Sequence, residues 1–129
     1  GEAMKRLWIA LAILLFLFGT TLLHVSYLGR LTRELTALLA EAERQAEAGH
    51  WEQAGELTRQ AQSYWDAQKG YLYVVLRHSD TDQVHIGFRE VLEFIYCQEG
   101  GEYSAANAKL VAQIELLHEM EALTLQNLL

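Results

Sequence analysis

From residue 28 onwards, apolar side chains recur every three or four positions. Leu28, Leu31, Leu35, Leu38 and Ala42 form a first set, and Trp51, Ala54, Leu57, Ala61, Tyr64, Trp65, Leu72 and Val75 a second. Val84, Phe88, Val91, Leu92 and Ile95 make a third, and Tyr103, Ala106, Leu110, Ile114, Leu117 and Met120 a fourth. Such steps line up one face of an α-helix, so each set predicts a helix with a buried stripe. Proline is absent from the chain, and polar or glycine breaks fall at Gly49, at Ser79, Asp80 and Asp82, and at Gly100 and Gly101. Long helices with short connections follow from that punctuation. The second helix is expected to run to about Arg77, weakened at Gly70. The run YLYVVL at residues 71–76 has strand-like composition, but no second run of that kind exists to pair with it.

Ahead of these stripes the pattern changes. Residues 7–23 (LWIALAILLFLFGTTLL) carry no charge, and the first charged residue beyond Arg6 is Arg30. At about 1.5 Å per residue, such a helix can cross a hydrocarbon core of roughly 30 Å. Trp8 and Tyr27 lie nineteen residues apart, about 28 Å along a helix, where interfacial aromatics are expected. Lys5 and Arg6 precede the segment and Arg30 and Arg33 follow it, so the positive-inside rule is nearly balanced; the short basic tail and the acidic remainder favour an N-terminus inside and an extracytoplasmic remainder. A cleaved export signal has a similar start. The apolar run here is longer than a usual signal core, and residues 20–25 (TTLLHV) lack a small-x-small cleavage pattern, so an uncleaved anchor is expected. Gly1, Glu2 and Ala3 before Met4 read as an expression remnant. His24, three residues before Tyr27, reads as a polar marker of the span's end.

A short repeat organises the rest. Gly49-His-Trp51-Glu-Gln-Ala54 and Gly101-Glu-Tyr103-Ser-Ala-Ala106 share Gly-x-aromatic-x-x-Ala, 52 residues apart. Both are expected at turns between paired helices: glycine takes the left-handed turn, the aromatic covers the hairpin end, and alanine lets the next helix approach. The pattern resembles the turn of a tetratricopeptide hairpin. It lacks that family's closing proline and period of roughly 34 residues, so it supports two stacked helical hairpins and no more.

Charge narrows the function. From Glu34 to the end, 16 acidic residues face 6 lysines and arginines, which argues against nucleic acid as a partner. Cys97 is the only cysteine, so an intrachain disulfide and a cysteine-based zinc cage are excluded. Following Ile95 and Tyr96, it is expected to pack inside. The densest polar cluster is residues 77–85 (RHSDTDQVH). His78, Asp80, Asp82 and His85 could offer a divalent metal its ligands. The ordinary roles for the same residues are helical: Ser79 or Asp80 caps the third helix, Asp82 favours its N-terminal dipole, and Arg77 and His78 meet carbonyls of the second. No phosphate loop, nucleophile elbow or cysteine–base pair is present, and the glutamates at 41, 43, 47, 52 and 56 read as a solvated face. Trp51 and Trp65 read as packing anchors, and Trp51, Trp65, Tyr103, His78 and Asp82 are the residues expected to carry interaction or structure. The seam at residues 28–42 could also join two copies, because its spacing is that of a coiled coil.

The chain resembles the domain-of-unknown-function family 4363, a bacterial family of spore-forming Gram-positive organisms. Its marks here are the Met4-Lys-Arg start before an apolar helix, Gly49-His-Trp51-Glu-Gln-Ala54, Trp65 followed by Lys69, and His78-Ser-Asp80-Thr-Asp82. The resemblance implies a small membrane-anchored helical protein with no assigned activity or catalytic residue. Members are encoded beside a second small membrane protein family, which implies a membrane protein as partner.

The expectation is therefore an anchor at residues 4–29 and an acidic four-helix domain at residues 30–129. It would act as a membrane-tethered protein-interaction module without catalysis or cofactor. A metal-dependent sensor or enzyme centred on residues 78–85 and a structural homo-oligomer are the competing classes.

Overall fold

A computed structural model describes residues 1–68, 70–72 and 78–128, with the side chains of His78, Leu125 and Leu128 outside the description. Four long helices, α1 (Glu2–Glu47), α2 (Trp51–Ala67), α3 (His78–Cys97) and α4 (Gly100–Leu128), make the fold all-α. Residues 70–72 are also helical.

Helix α1 has 46 residues, roughly 70 Å at the usual rise. Its first seventeen residues, 2–18, are all exposed. From Leu28 its inward face is shut into a core by Leu31, Leu35, Leu39, Ala42 and Ala46, each at most 7 % exposed. The apolar segment thus continues without a break into the bundle. Leu28 and Gly29, on the anchor side of the expected boundary, already belong to the packed part.

The helices neighbour one another in a ring, α1 on α2, α2 on α3, α3 on α4 and α4 on α1, with successive helices antiparallel. Helix α2 turns a small face inward (Ala54, Gly55, Thr58, Ala61) and closes with Trp65. Small residues let its backbone approach α1, and Trp65 is buried in the core at 3 % exposure. The buried Thr58 hydroxyl donates to the carbonyl of Ala54 at 2.8 Å, so it adds no unpaired polar atom. Helix α3 contributes Val84, Phe88, Val91 and Ile95, and α4 contributes Tyr103, Leu110, Ile114 and Leu117. Tyr64 and Met120, assigned to stripes by spacing, point outward at 43 % exposure each.

Both tight turns use the same device. After α1, the N–H of His50 reaches the carbonyl of Gln45 (2.7 Å) and that of Gly49 reaches Ala46 (2.9 Å). After α3, Glu99 reaches Phe94 (3.0 Å) and Gln98 reaches Ile95 (3.0 Å). Each is a Schellman closure around a left-handed residue, Gly49 at φ 83° and Gln98 at φ 55°. The left-handed equivalent of Gly49 is therefore Gln98, not Gly101. Gly100 and Gly101 were expected to end the third helix, yet both lie inside α4. The two aromatics of the repeat meet, Trp51 edge-on to Tyr103 with ring centroids 5.6 Å apart.

Three further expectations change. Helix α2 ends at Ala67 rather than near Arg77, and Lys69 with residues 73–77 lies outside the described residues. Helix α3 begins at His78, so Ser79 and Asp80 sit in its first turn and not at its cap. Cys97 is exposed, because only Ile95 of the three residues 95–97 lies on the stripe through Val84, Phe88 and Val91.

Candidate functional site

Antiparallel packing gathers polar groups at the two ends of the bundle, and each end is a separate site.

At the end where α1 enters, His24 stands between two other elements. Its Nδ1 is hydrogen-bonded to the Tyr71 hydroxyl, and its Nε2 lies 3.4 Å from a Glu121 carboxylate oxygen on α4. Tyr27, one turn later on α1, donates its hydroxyl to Gln68 Oε1 and sets its ring edge-on to Tyr71 at 5.1 Å. Burial, and then the Glu121 carboxylate, push the Tyr71 phenol above its ordinary value. Next to this cluster α4 comes close to α1 at Gly29, where a Cβ would stand 3.0 Å from His118 Nε2. Rings from α1 are thus tied to both of its neighbours just where the exposed apolar segment stops. Spacing alone suggested Tyr27 and His24 as interface markers; the structure turns both towards the bundle. Trp8 is exposed at 65 % on the apolar segment.

At the far end the two turns lie side by side. Trp51, half-buried at the start of α2, covers Tyr103 at 1 % exposure. Beside Trp51, α2 and α3 separate into an open groove of about 340 Å³ lined by Gly55, Arg59, Leu92, Ile95 and Tyr96. Tyr96 stands out at 84 % exposure. Across the bundle, Asn107 of α4 is 2 % exposed and donates its amide to the Leu39 carbonyl (3.1 Å) and to Glu43 Oε1 (3.3 Å). Burial, then the carboxylates of Glu43 and Glu47, hold the Tyr103 phenol far above its ordinary value.

The remaining sequence candidates divide. Trp65 is a core residue at 3 % exposure. Asp82 is exposed on α3, and Asp80 and His85 are half-buried there. The side chain of His78 lies outside the described residues. Among the described residues no three histidine, cysteine, aspartate or glutamate side chains converge as a metal would need. The seam at residues 28–42 faces the chain's own α2 and α4, so a pairing of copies would have to use another face.

Asn107 was missed although its place is legible: it falls four residues after Tyr103 and three before Leu110, on the stripe itself. The His24–Tyr71–Glu121 group had no such signal, since it joins residues 47 and 97 positions apart.

The model of the family described as a domain of unknown function (DUF4363) matches residues 22–128. The chain belongs to that family. The DUF4363 match takes in all four bundle helices and both polar ends, and it begins as α1 leaves its wholly exposed stretch. Comparisons with curated proteins and with solved structures give no match.

Proposed function

We propose that this DUF4363 protein is a membrane-tethered helical module that binds another membrane protein and performs no catalysis. The observation that carries this reading is the single helix α1, apolar and exposed at one end and core-forming at the other. Among the described residues it is the one helix long and apolar enough to cross a membrane. An uncleaved anchor gives that segment a solvent, and the bundle then stands directly on the bilayer with its acidic surface outside the cell. Confinement to the membrane raises the effective concentration of a partner, so a shallow contact surface suffices. The groove between α2 and α3, with exposed Tyr96 beside Trp51 and Arg59, supplies an aromatic and arginine surface of the kind enriched at interfaces.

The test is crosslinking in native membranes through a photoreactive residue at Tyr96, with one at Leu116 on α4 as control. The expected result is one membrane protein captured from position 96 and not from 116. Failure to capture any specific protein from either position would refute the adaptor.

A further inference from the structure

Helix α4 runs back along α1 in a steady register. The Asn107 amide reaches the Leu39 carbonyl (3.1 Å), His118 faces Gly29, and Glu121 lies 3.4 Å from His24. Between the first and last of these contacts α4 advances fourteen residues while α1 falls back fifteen. Both helices rise equally per residue, so the same register brings residues 123–128 to the level of residues 18–23. That level lies within the apolar segment at residues 7–23. Burial along α1 agrees, since Gly19 is its first residue that is not exposed and Thr21 is half-buried too. Cover over α1 therefore begins inside the apolar segment. The end of α4 has the chemistry for such a place. Residues 122–128 (ALTLQNL) carry no charge, and Glu121, level with His24, is the last acidic residue. Leu116, Met120 and Leu123 recur at helical spacing and are 52 %, 43 % and 58 % exposed. The Thr124 hydroxyl donates to the Met120 carbonyl (3.0 Å), as Thr20 and Thr21 of α1 donate to Phe16 and Leu17 (2.9 Å each). These hydroxyls are satisfied within their own helices and need no water.

We propose that the end of α4, residues 120–128, is a second lipid-contacting element, seated beside α1 in the interfacial layer of the leaflet that the bundle faces. Met120 and Leu123 lie against acyl chains there. The inference deepens the membrane-tethered reading and rests on α1 being the anchor. Lipid is the occupant of this apolar face because the register sets it at the height where the anchor meets the membrane surface, continuous with the anchor's own exposed side chains. Gln126 limits the depth: it is level with Thr20, so both helices carry polar side chains at one height, which suits the interface and not the bilayer centre. Two helices then seat the bundle on the bilayer. The groove beside Tyr96, at the opposite end, is held clear of the surface for a partner.

Spin labelling of the full-length chain in phosphatidylcholine–phosphatidylglycerol vesicles, at no more than one copy per vesicle, tests this. Cys97, which is exposed, is replaced by Cys97→Ser, and a single nitroxide is attached through Leu14→Cys, Ala112→Cys or Leu123→Cys. Ala112 is exposed on α4, eleven residues nearer the far end than Leu123. Accessibility to oxygen, which concentrates in lipid, is compared with accessibility to a water-soluble nickel chelate. The expected oxygen-to-nickel ratio at position 123 is several-fold above that at position 112 and below that at position 14. A lipid signal at position 14 with equal ratios at 123 and 112 would overturn the second contact while the anchor stands. A label at position 14 facing water would overturn the anchor, and the second contact with it. Shielding of position 123 from both reagents would mark a protein contact and overturn the assignment to lipid.

Discussion

Tyr103 shows how one side chain can be read twice. Its ring belongs to the helical stripe and packs under Trp51, but its hydroxyl is buried beside Glu43 and Glu47, which holds the phenol neutral beyond its ordinary range. The folded state then keeps a proton that the unfolded chain loses near pH 10. Stability is unaffected below that pH and falls as the pH rises towards the folded value, because the native state binds more protons. The Tm of the wild type should therefore drop progressively above about pH 10. Tyr103→Phe should show a shallower drop, with the remainder including the Tyr71 phenol, which is also raised. An equally steep fall in the variant would mean that the Tyr103 proton is not held by the fold. Asn107 is the companion case. A polar residue on a core stripe is tolerated where its hydrogens find acceptors, here the Leu39 carbonyl and Glu43.

Between elements, the two turns make the clearest comparison. Glycine at position 49 takes φ 83° freely, whereas Gln98 takes φ 55° with a Cβ that crowds its own carbonyl. Gln98→Gly should raise stability by about 0.5–1 kcal/mol and Gly49→Ala should lower it by about 1 kcal/mol, read as shifts in urea midpoint at unchanged slope. Matching signs for the two variants would show that the turns are not equivalent. The sequence repeat located both hairpins yet misaligned the second, because it was built on the aromatic and the alanine. Those residues are held by packing on the core, whereas the left-handed position is defined by where α3 closes. An apolar stripe likewise says that a helix has a buried face without saying what covers it. The seam at residues 28–42 has coiled-coil spacing, and its cover is the chain's own α2 and α4.

At the scale of the whole molecule, α1 combines an exposed apolar half, long and apolar enough to cross a membrane, with a core-forming half. Its exposed apolar side chains include Leu14, Phe16 and Leu17, at 57–73 % exposure. An aspartate near the middle of such a span costs about 2.5–3.5 kcal/mol. The wild type should stay in the membrane pellet after alkaline carbonate extraction, and Leu14→Asp with Leu15→Asp should release most of the protein. Release of the wild type, with a mass lacking the apolar segment, would identify that segment as a cleaved signal. The helix is unbroken, and His24 and Tyr27 tie it to Tyr71, Gln68 and Glu121, so the apolar half of α1 is continuous with the packed bundle.

The helical kind of the elements, the apolar segment at residues 7–23 and most of the core were legible in the sequence. Helical periodicity and the absence of proline are local properties, and burial follows from them once any partner face is supplied. Tertiary structure alone decided which helices cover one another, that Gln98 and not Gly101 turns the second hairpin, and that Cys97 faces outward. It alone brought His24 to Glu121 and Asn107 to Glu43. Such pairs join residues far apart in sequence, and only the antiparallel ring of four helices sets the register that places them in contact.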